Sequence, residues 1–219
     1  MEKRLRIIVC GVGFGQFYIR AIDKIKCKYK LVGILSRGSE WSKQWTKKYG
    51  VILYTDIDEI TKENVDVVCV VIKSTVVNGE GSTIVHSLRE KGINVIQEHP
   101  IDIDDYIMCI KIAQKNCCMY RLNTFYPQLS NVKQFIFLAG KLREKNDVQY
   151  INAECSVHVL FPLIDILGRA IGGLRPWKFE RVEETYKNSP FCIIYGSIYN
   201  IPICINVQNQ MDPSDPENS

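Results

Sequence analysis

Six short runs rich in β-branched residues, each separated from the next by a polar or helical stretch, constrain this chain more than any other feature. Strands are expected at 5–10, 30–35, 51–54, 65–72, 93–97 and 118–122, with helical periodicity at 15–26, 40–49, 81–91 and 102–116. Connections of a dozen or more residues that carry helices make neighbouring strands parallel and the crossovers right-handed, which gives a doubly wound α/β sheet. The ligand crevice of such a sheet lies at the carboxyl ends of its strands. Functional residues are therefore sought just after Cys10, Leu35, Ile72, Gln97 and Leu122.

Beyond Asn123 the pattern changes. A helix is expected at 129–143, a strand at 148–160, a helix at 162–171, and strands at 177–184, 191–199 and 203–208. That order reads as an α+β domain with a mostly antiparallel sheet. The division is placed at 1–122 and 123–219, and with 219 residues the second domain reads as incomplete.

Composition excludes several classes. A net charge of +4, from 28 basic and 24 acidic residues dispersed along the chain, is too mild for a nucleic-acid partner. No run approaches the roughly 18 apolar residues of a membrane span, and Met1-Glu2-Lys3-Arg4 leads directly into a strand rather than a leader. The nine cysteines include no CxxC and sit mostly in apolar runs, as buried thiols in a reducing cytoplasm do. Cys117 and Cys118 are adjacent, and as consecutive strand residues they would face opposite ways. No HExxH or Cys-His cluster is present, so no metal site is expected.

The first strand runs into Gly11-Val12-Gly13-Phe14-Gly15-Gln16 and then a helix. Gly11 allows the tight turn, Gly13 lets backbone approach a pyrophosphate, and the helix N-terminus offers N–H groups and a positive dipole end. Phe14 and Gly15 complete the loop, with Gly15 one place earlier than the third glycine of the usual fingerprint. This is the Rossmann arrangement, and a nicotinamide dinucleotide is the expected cofactor.

The second strand ends in Ser36-Arg37-Gly38-Ser39 where an NAD-preferring site offers a carboxylate. Arg37 is suited to pair with a 2′-phosphate, and the Ser36 and Ser39 hydroxyls add hydrogen bonds, so NADPH is the expected form. Lys73 and Ser74 follow the fourth strand at a crevice position. Asn78-Gly79-Glu80-Gly81 starts the next helix with no chemical role assigned.

The fifth strand ends in Gln97-Glu98-His99-Pro100, which places His99 at the nicotinamide end of the crevice. The sixth leads to Asn123-Thr124-Phe125-Tyr126-Pro127. His99 and Tyr126 are the candidate catalytic proton donors. Asn123, His158 and Asp165 are candidates on the substrate side, a satisfied core histidine being an equal reading of His158. His86, within a helical stretch, reads as a surface or packing residue.

At these residues the chain resembles the Gfo/Idh/MocA oxidoreductases: a glycine turn near the N-terminus, an E-x-P after the fifth strand and an α+β second domain. Where that family commonly carries a catalytic lysine between Glu and Pro, this chain has His99. Glu98 and Pro100 count as cofactor-side residues on that resemblance. Phe14-Gly15, Leu35-Ser36-Arg37-Gly38-Ser39, Gln97-Glu98-His99-Pro100, Asn123-Thr124-Phe125-Tyr126-Pro127, Asp165-Ile166-Leu167-Gly168-Arg169 and the stretch 209–218 are similar to the thiazolinyl imine reductase branch.

The resemblance implies NADPH-dependent reduction of a thiazoline C=N to a thiazolidine on a carrier-protein-tethered intermediate of siderophore or nonribosomal peptide biosynthesis. It also implies a longer second domain and admits a homodimer. The alternatives are a dehydrogenase of that family acting on a sugar or other small carbonyl compound, and a non-catalytic NADP-binding protein.

Overall fold

The computed structural model describes residues 3–72, 80–184 and 189–208. Residues up to Asn123 form one compact unit and those from Thr124 onward a second.

In the first unit β1 (Leu5–Cys10), α1 (Gly15–Lys24), β2 (Tyr29–Leu35), α2 (Glu40–Tyr49) and β3 (Ile52–Tyr54) are followed by β4 (Val67–Val70), α3 (Glu80–Glu90), β5 (Asn94–Glu98), α4 (Ile103–Lys115) and β6 (Tyr120–Asn123). The six strands make one sheet in the order β3-β2-β1-β4-β5-β6, and every neighbouring pair is parallel. The order reverses between β1 and β4, which is where open sheets of this kind carry their ligand crevice.

The apolar runs read as continuous because both faces of the sheet are covered. In β1, Ile7 and Val9 pack with Ile19, Ile22 and Trp45 of α1 and α2, while Ile8 and Cys10 pack with Val85, Leu88 and Cys109 of α3 and α4. A period of two along the strand thus feeds two separate cores. Helix ends follow local chemistry. Ser39 caps α2 by accepting from the Ser42 N–H at 3.2 Å, and Gly50 ends it at φ 63°. Asp102 caps α4 through the Asp104 N–H at 2.8 Å.

Two expectations need correction. The strand placed at 118–122 begins only at Tyr120, because Cys117 adopts φ 50° in a turn. Cys117 is exposed, and Cys118 accepts a hydrogen bond from buried Arg89 at 3.8 Å, so the pair is not two consecutive strand residues.

The second correction lies in the second unit, which contains α5 (Ser130–Arg143), β7 (Ile151–Ser156), α6 (Leu160–Ile171), β8 (Trp177–Glu184), β9 (Phe191–Ile198) and β10 (Ile201–Gln208). The strand expected over 148–160 stops at Ser156. A 3-10 turn over Val157–Val159 follows, and α6 starts at Leu160, with Pro162 in its first turn where no N–H is needed. Leu160, Leu163, Ile164, Leu167 and Ile171 recur at helical spacing and pack on Ile151, Ile203 and Ile205, a period that the preceding apolar strand masks.

The second sheet runs β7-β10-β9-β8, antiparallel except for the β10–β7 pair. Tyr199 and Asn200, both at positive φ, make the two-residue turn between β9 and β10 that matches the strand twist. A doubly wound parallel sheet followed by a mostly antiparallel one is thus the architecture.

Candidate cofactor and active site

The loop after β1 is built for an anion. Gly11 has φ 87°, and a Cβ there would lie 2.9 Å from the Val71 carbonyl oxygen, so only glycine makes this turn without strain. At Gly13 nothing described stands within 4 Å of a built Cβ, which leaves bare backbone facing open space. Gly15 is buried, its built Cβ 3.1 Å from Val9 Cγ1, so it sets the close packing of α1 on β1. Gly11 thus makes the tight turn, and Gly15 sets the close helix–strand packing despite its displacement by one residue from the usual third glycine.

Helix α1 differs at its N-terminus from α2 and α4 of the same unit, while α5 and α6 of the second unit are likewise uncapped and without a first-turn acid. Among the described residues no side chain caps it, and its first turn holds no acidic residue. In α2 and α4, capping side chains and carboxylates fill that role. A pyrophosphate on α1 would satisfy what those groups satisfy elsewhere. The site fits a dinucleotide on this ground. Phe14 and Phe17 lie beside the loop, exposed, with ring centroids 5.1 Å apart.

At the end of β2 the Ser36 hydroxyl accepts from the Gly38 N–H at 3.2 Å, and Ser39 serves as the α2 cap, so both serines shape the turn. Arg37 is 84% exposed and pairs in bidentate fashion with Glu80, the first residue of α3: Nε donates to Oε1 at 3.1 Å and Nη2 to Oε2. Glu80, read from sequence as a helix start without a chemical role, thus places a carboxylate where the end of β2 has none. Lys73 and Ser74 lie outside the described residues.

At the end of β5 a buried polar cluster converges on Glu98. Tyr18 of α1 donates to Glu98 Oε2, Asn123 Nδ2 donates to the same oxygen at 3.0 Å, and Asn123 Nδ2 also donates to the Tyr18 oxygen at 2.6 Å. His99 Nε2 stands 3.3 Å from Glu98 Oε1, with both side chains 8% exposed. Burial pushes the Tyr18 phenol up, and the hydrogen bond and charge of Glu98 push it further, so the phenol stays a donor. A carboxylate beside an imidazole stabilises the protonated ring. The Glu98 carboxylate and the His99 ring thus stand together in one buried polar cluster.

Parallel pairing explains why these residues meet: Glu98 and Asn123 are register partners, and the His99 N–H donates to the Asn123 carbonyl at 3.1 Å. The His99–Pro100 peptide is cis. One strand residue earlier, Tyr120 donates to buried Gln97 at 2.7 Å. Sequence reasoning missed Tyr18. Its one signal was a tyrosine one turn into the helix that leaves the glycine loop.

The second unit holds the other candidates. Tyr126 is half-buried in a 3-10 turn over Tyr126–Gln128, edge-on to Phe125 at 5.8 Å. Asp165 accepts from Thr124 Oγ1 at 2.7 Å and from Arg169 Nε at 2.9 Å and Nη2 at 3.2 Å, so its carboxylate is held within its own unit. His158 is exposed on the 3-10 turn rather than at the end of a strand.

A glycine turn entering an uncapped helix at the reversal of a parallel sheet, with a buried His-Glu cluster two strands away, defines a dinucleotide-binding oxidoreductase domain. The chain belongs to the Gfo/Idh/MocA oxidoreductase family, whose model, described as an oxidoreductase family with an NAD-binding Rossmann fold, matches residues 5–124.

Solved structures share the fold across both units. The WlbA dehydrogenase from Chromobacterium violaceum, in complex with NADH and UDP-GlcNAcA, is 14% identical with a TM-score of 0.79, over 97% of this chain and 69% of that one. GenD2 from gentamicin A biosynthesis, in complex with NAD, is 14% identical with a TM-score of 0.76, over 95% and 66%. The scyllo-inositol dehydrogenase from Lactobacillus casei is 14% identical with a TM-score of 0.71, over 95% and 70%. The chain thus spans about two thirds of the length of these proteins. No curated protein sequence matches it.

Proposed function

We propose that this chain reduces a thiazoline C=N to a thiazolidine on a carrier-protein-bound intermediate of siderophore or nonribosomal peptide assembly, with NADPH as reductant. The observation that carries the reading is His99 in place of the family's usual lysine, held against buried Glu98 at the end of β5. A bound nicotinamide supplies the hydride that reduces the carbon of the C=N bond. Gly11, Gly13 and Gly15 would hold the pyrophosphate, and Arg37 would receive the 2′-phosphate.

His99 or Tyr126 would supply the proton that the reduced C=N nitrogen takes up. Tyr18 and Asn123 hold the Glu98 carboxylate in place beside the His99 ring. Asn123, Asp165 and His158 remain the substrate-side candidates, and Glu98 and Pro100 the cofactor-side ones.

The test is turnover of a soluble thiazoline thioester with NADPH, by the purified wild type and by H99N and Y126F separately. Loss of the proton donor is expected to lower kcat by about 10²–10⁴-fold. No reduction of any thiazoline, with oxidation of a nucleotide sugar or a polyol instead, would move the activity to a sugar-type dehydrogenase. The WlbA and inositol dehydrogenase likenesses favour that second reading.

A further inference from the structure

We propose that Glu80 is a specificity-determining residue of the cofactor site: its carboxylate competes with the 2′-phosphate for Arg37 and restrains the preference for NADPH over NADH. The inference rests on the reading above, in which Arg37 receives that phosphate.

The two residues come from opposite sides of the phosphate loop. Arg37 follows β2, and Glu80 opens the helix after β4, while β1 lies between those strands in the sheet. The pair therefore bridges over the end of β1, where the glycine turn begins. The negative charge of Glu80 is also felt at Cys10, the last residue of β1, where it adds to burial in raising the thiol. Any ligand lying on Gly11–Gly15 with its adenosine end toward Arg37 meets this carboxylate.

Glu80 takes the Nε–Nη2 edge of the guanidinium. A phosphate that uses the same edge displaces the carboxylate, and one that uses the other edge sits beside it as a second anion on one cation. Both routes penalise the phosphorylated cofactor. The pair is exposed, 84% at Arg37 and 47% at Glu80, and exposed ion pairs are weak, so a doubly charged phosphate still succeeds. The unphosphorylated ribose carries no such charge, and its hydroxyls are able to donate to Glu80.

The experiment measures binding without turnover: nicotinamide fluorescence titrations of NADPH and NADH into the purified full chain, wild type, E80Q and R37Q, at low and high salt. E80Q is expected to raise the NADPH-to-NADH affinity ratio about five-fold at low salt, the effect shrinking as salt screens the charge. An unchanged ratio in E80Q, or equal tightening of both cofactors, overturns the inference alone. R37Q with undiminished NADPH affinity, or a wild type that binds neither dinucleotide, overturns the cofactor reading and the inference with it.

Discussion

The side-chain amide of Asn123 donates to Glu98 Oε2 at 3.0 Å across the parallel pair that sets the two residues in register. The same amide donates to the Tyr18 oxygen at 2.6 Å, so a strand, its neighbour and the cofactor helix share one buried carboxylate. In a site this buried, an acceptor stripped of a donor costs more than the lost bond.

Tyr18→Phe removes one donor to Glu98 and one acceptor for Asn123. A loss of about 1–3 kcal/mol in stability is expected by urea unfolding, and N123A is expected to cost a similar amount. Because both act on one oxygen, the double variant should lose clearly less than the sum of the singles. Additivity within about 0.5 kcal/mol would show that the cluster is not a unit.

The glycine loop separates folding from binding. G11A forces φ 87° on a residue whose Cβ meets the Val71 carbonyl oxygen, and about 1–3 kcal/mol of stability should be lost. G13A adds a methyl to open space, so stability should hold to within about 0.5 kcal/mol. If the loop takes the pyrophosphate as proposed, that methyl obstructs it, and dinucleotide affinity is expected to fall about tenfold or more. Titration alongside thermal melts checks both; a G13A variant that binds as wild type would remove the loop from the cofactor site.

Asp66 ties stability to pH in the acid range. Its carboxylate accepts from the Arg6 N–H at 2.7 Å and pairs with the Arg6 guanidinium at 2.9 and 3.1 Å; the side-chain bond, ahead of the others, holds it at about 2. A carboxyl depressed on folding stabilises above its unfolded pKa and loses that contribution as pH falls toward the folded one. The window therefore runs from the ordinary 3.8 down to about 2. D66N should be less stable than wild type near neutrality, and the gap should close through that window, as read by urea unfolding at stepped pH.

Thiol reactivity should sort by depth. Burial pushes the Cys10 and Cys69 thiols up to about 12, so neither forms thiolate near neutrality. Cys27 and Cys117 are exposed. Brief alkylation of the native chain followed by peptide mapping should label Cys27 and Cys117 and spare Cys10 and Cys69. Labelling of Cys69 at the same rate as Cys27 would contradict the buried core.

Much of the first unit was legible from local signals. The runs at β1 and β2 and the glycine turn each act over a few residues, and local chemistry is what sequence periodicity reports. Elsewhere a local signal pointed two ways. The residues around 157–160 are apolar both as strand and as helix, and the choice fell to packing of α6 on the second sheet. Cys118 looked like strand until the left-handed turn at Cys117 delayed it.

The candidate site divides along the same line. His99, Glu98 and Arg37 stand at strand ends, where the crevice rule directs attention without coordinates. Tyr18 and Glu80 carried no such mark, since Tyr18 is 80 residues from Glu98 and Arg37 is 43 from Glu80. What the sequence determined by itself is the glycine turn at β1, the parallel character of the sheet it enters and the histidine after β5, because turn geometry and hydrophobic period are local properties. Only the tertiary structure decided what faces those residues: a tyrosine and an asparagine on one carboxylate, and a glutamate on the arginine that follows β2. Side-chain pairing across a sheet depends on strand order and register, which no stretch of the chain encodes alone.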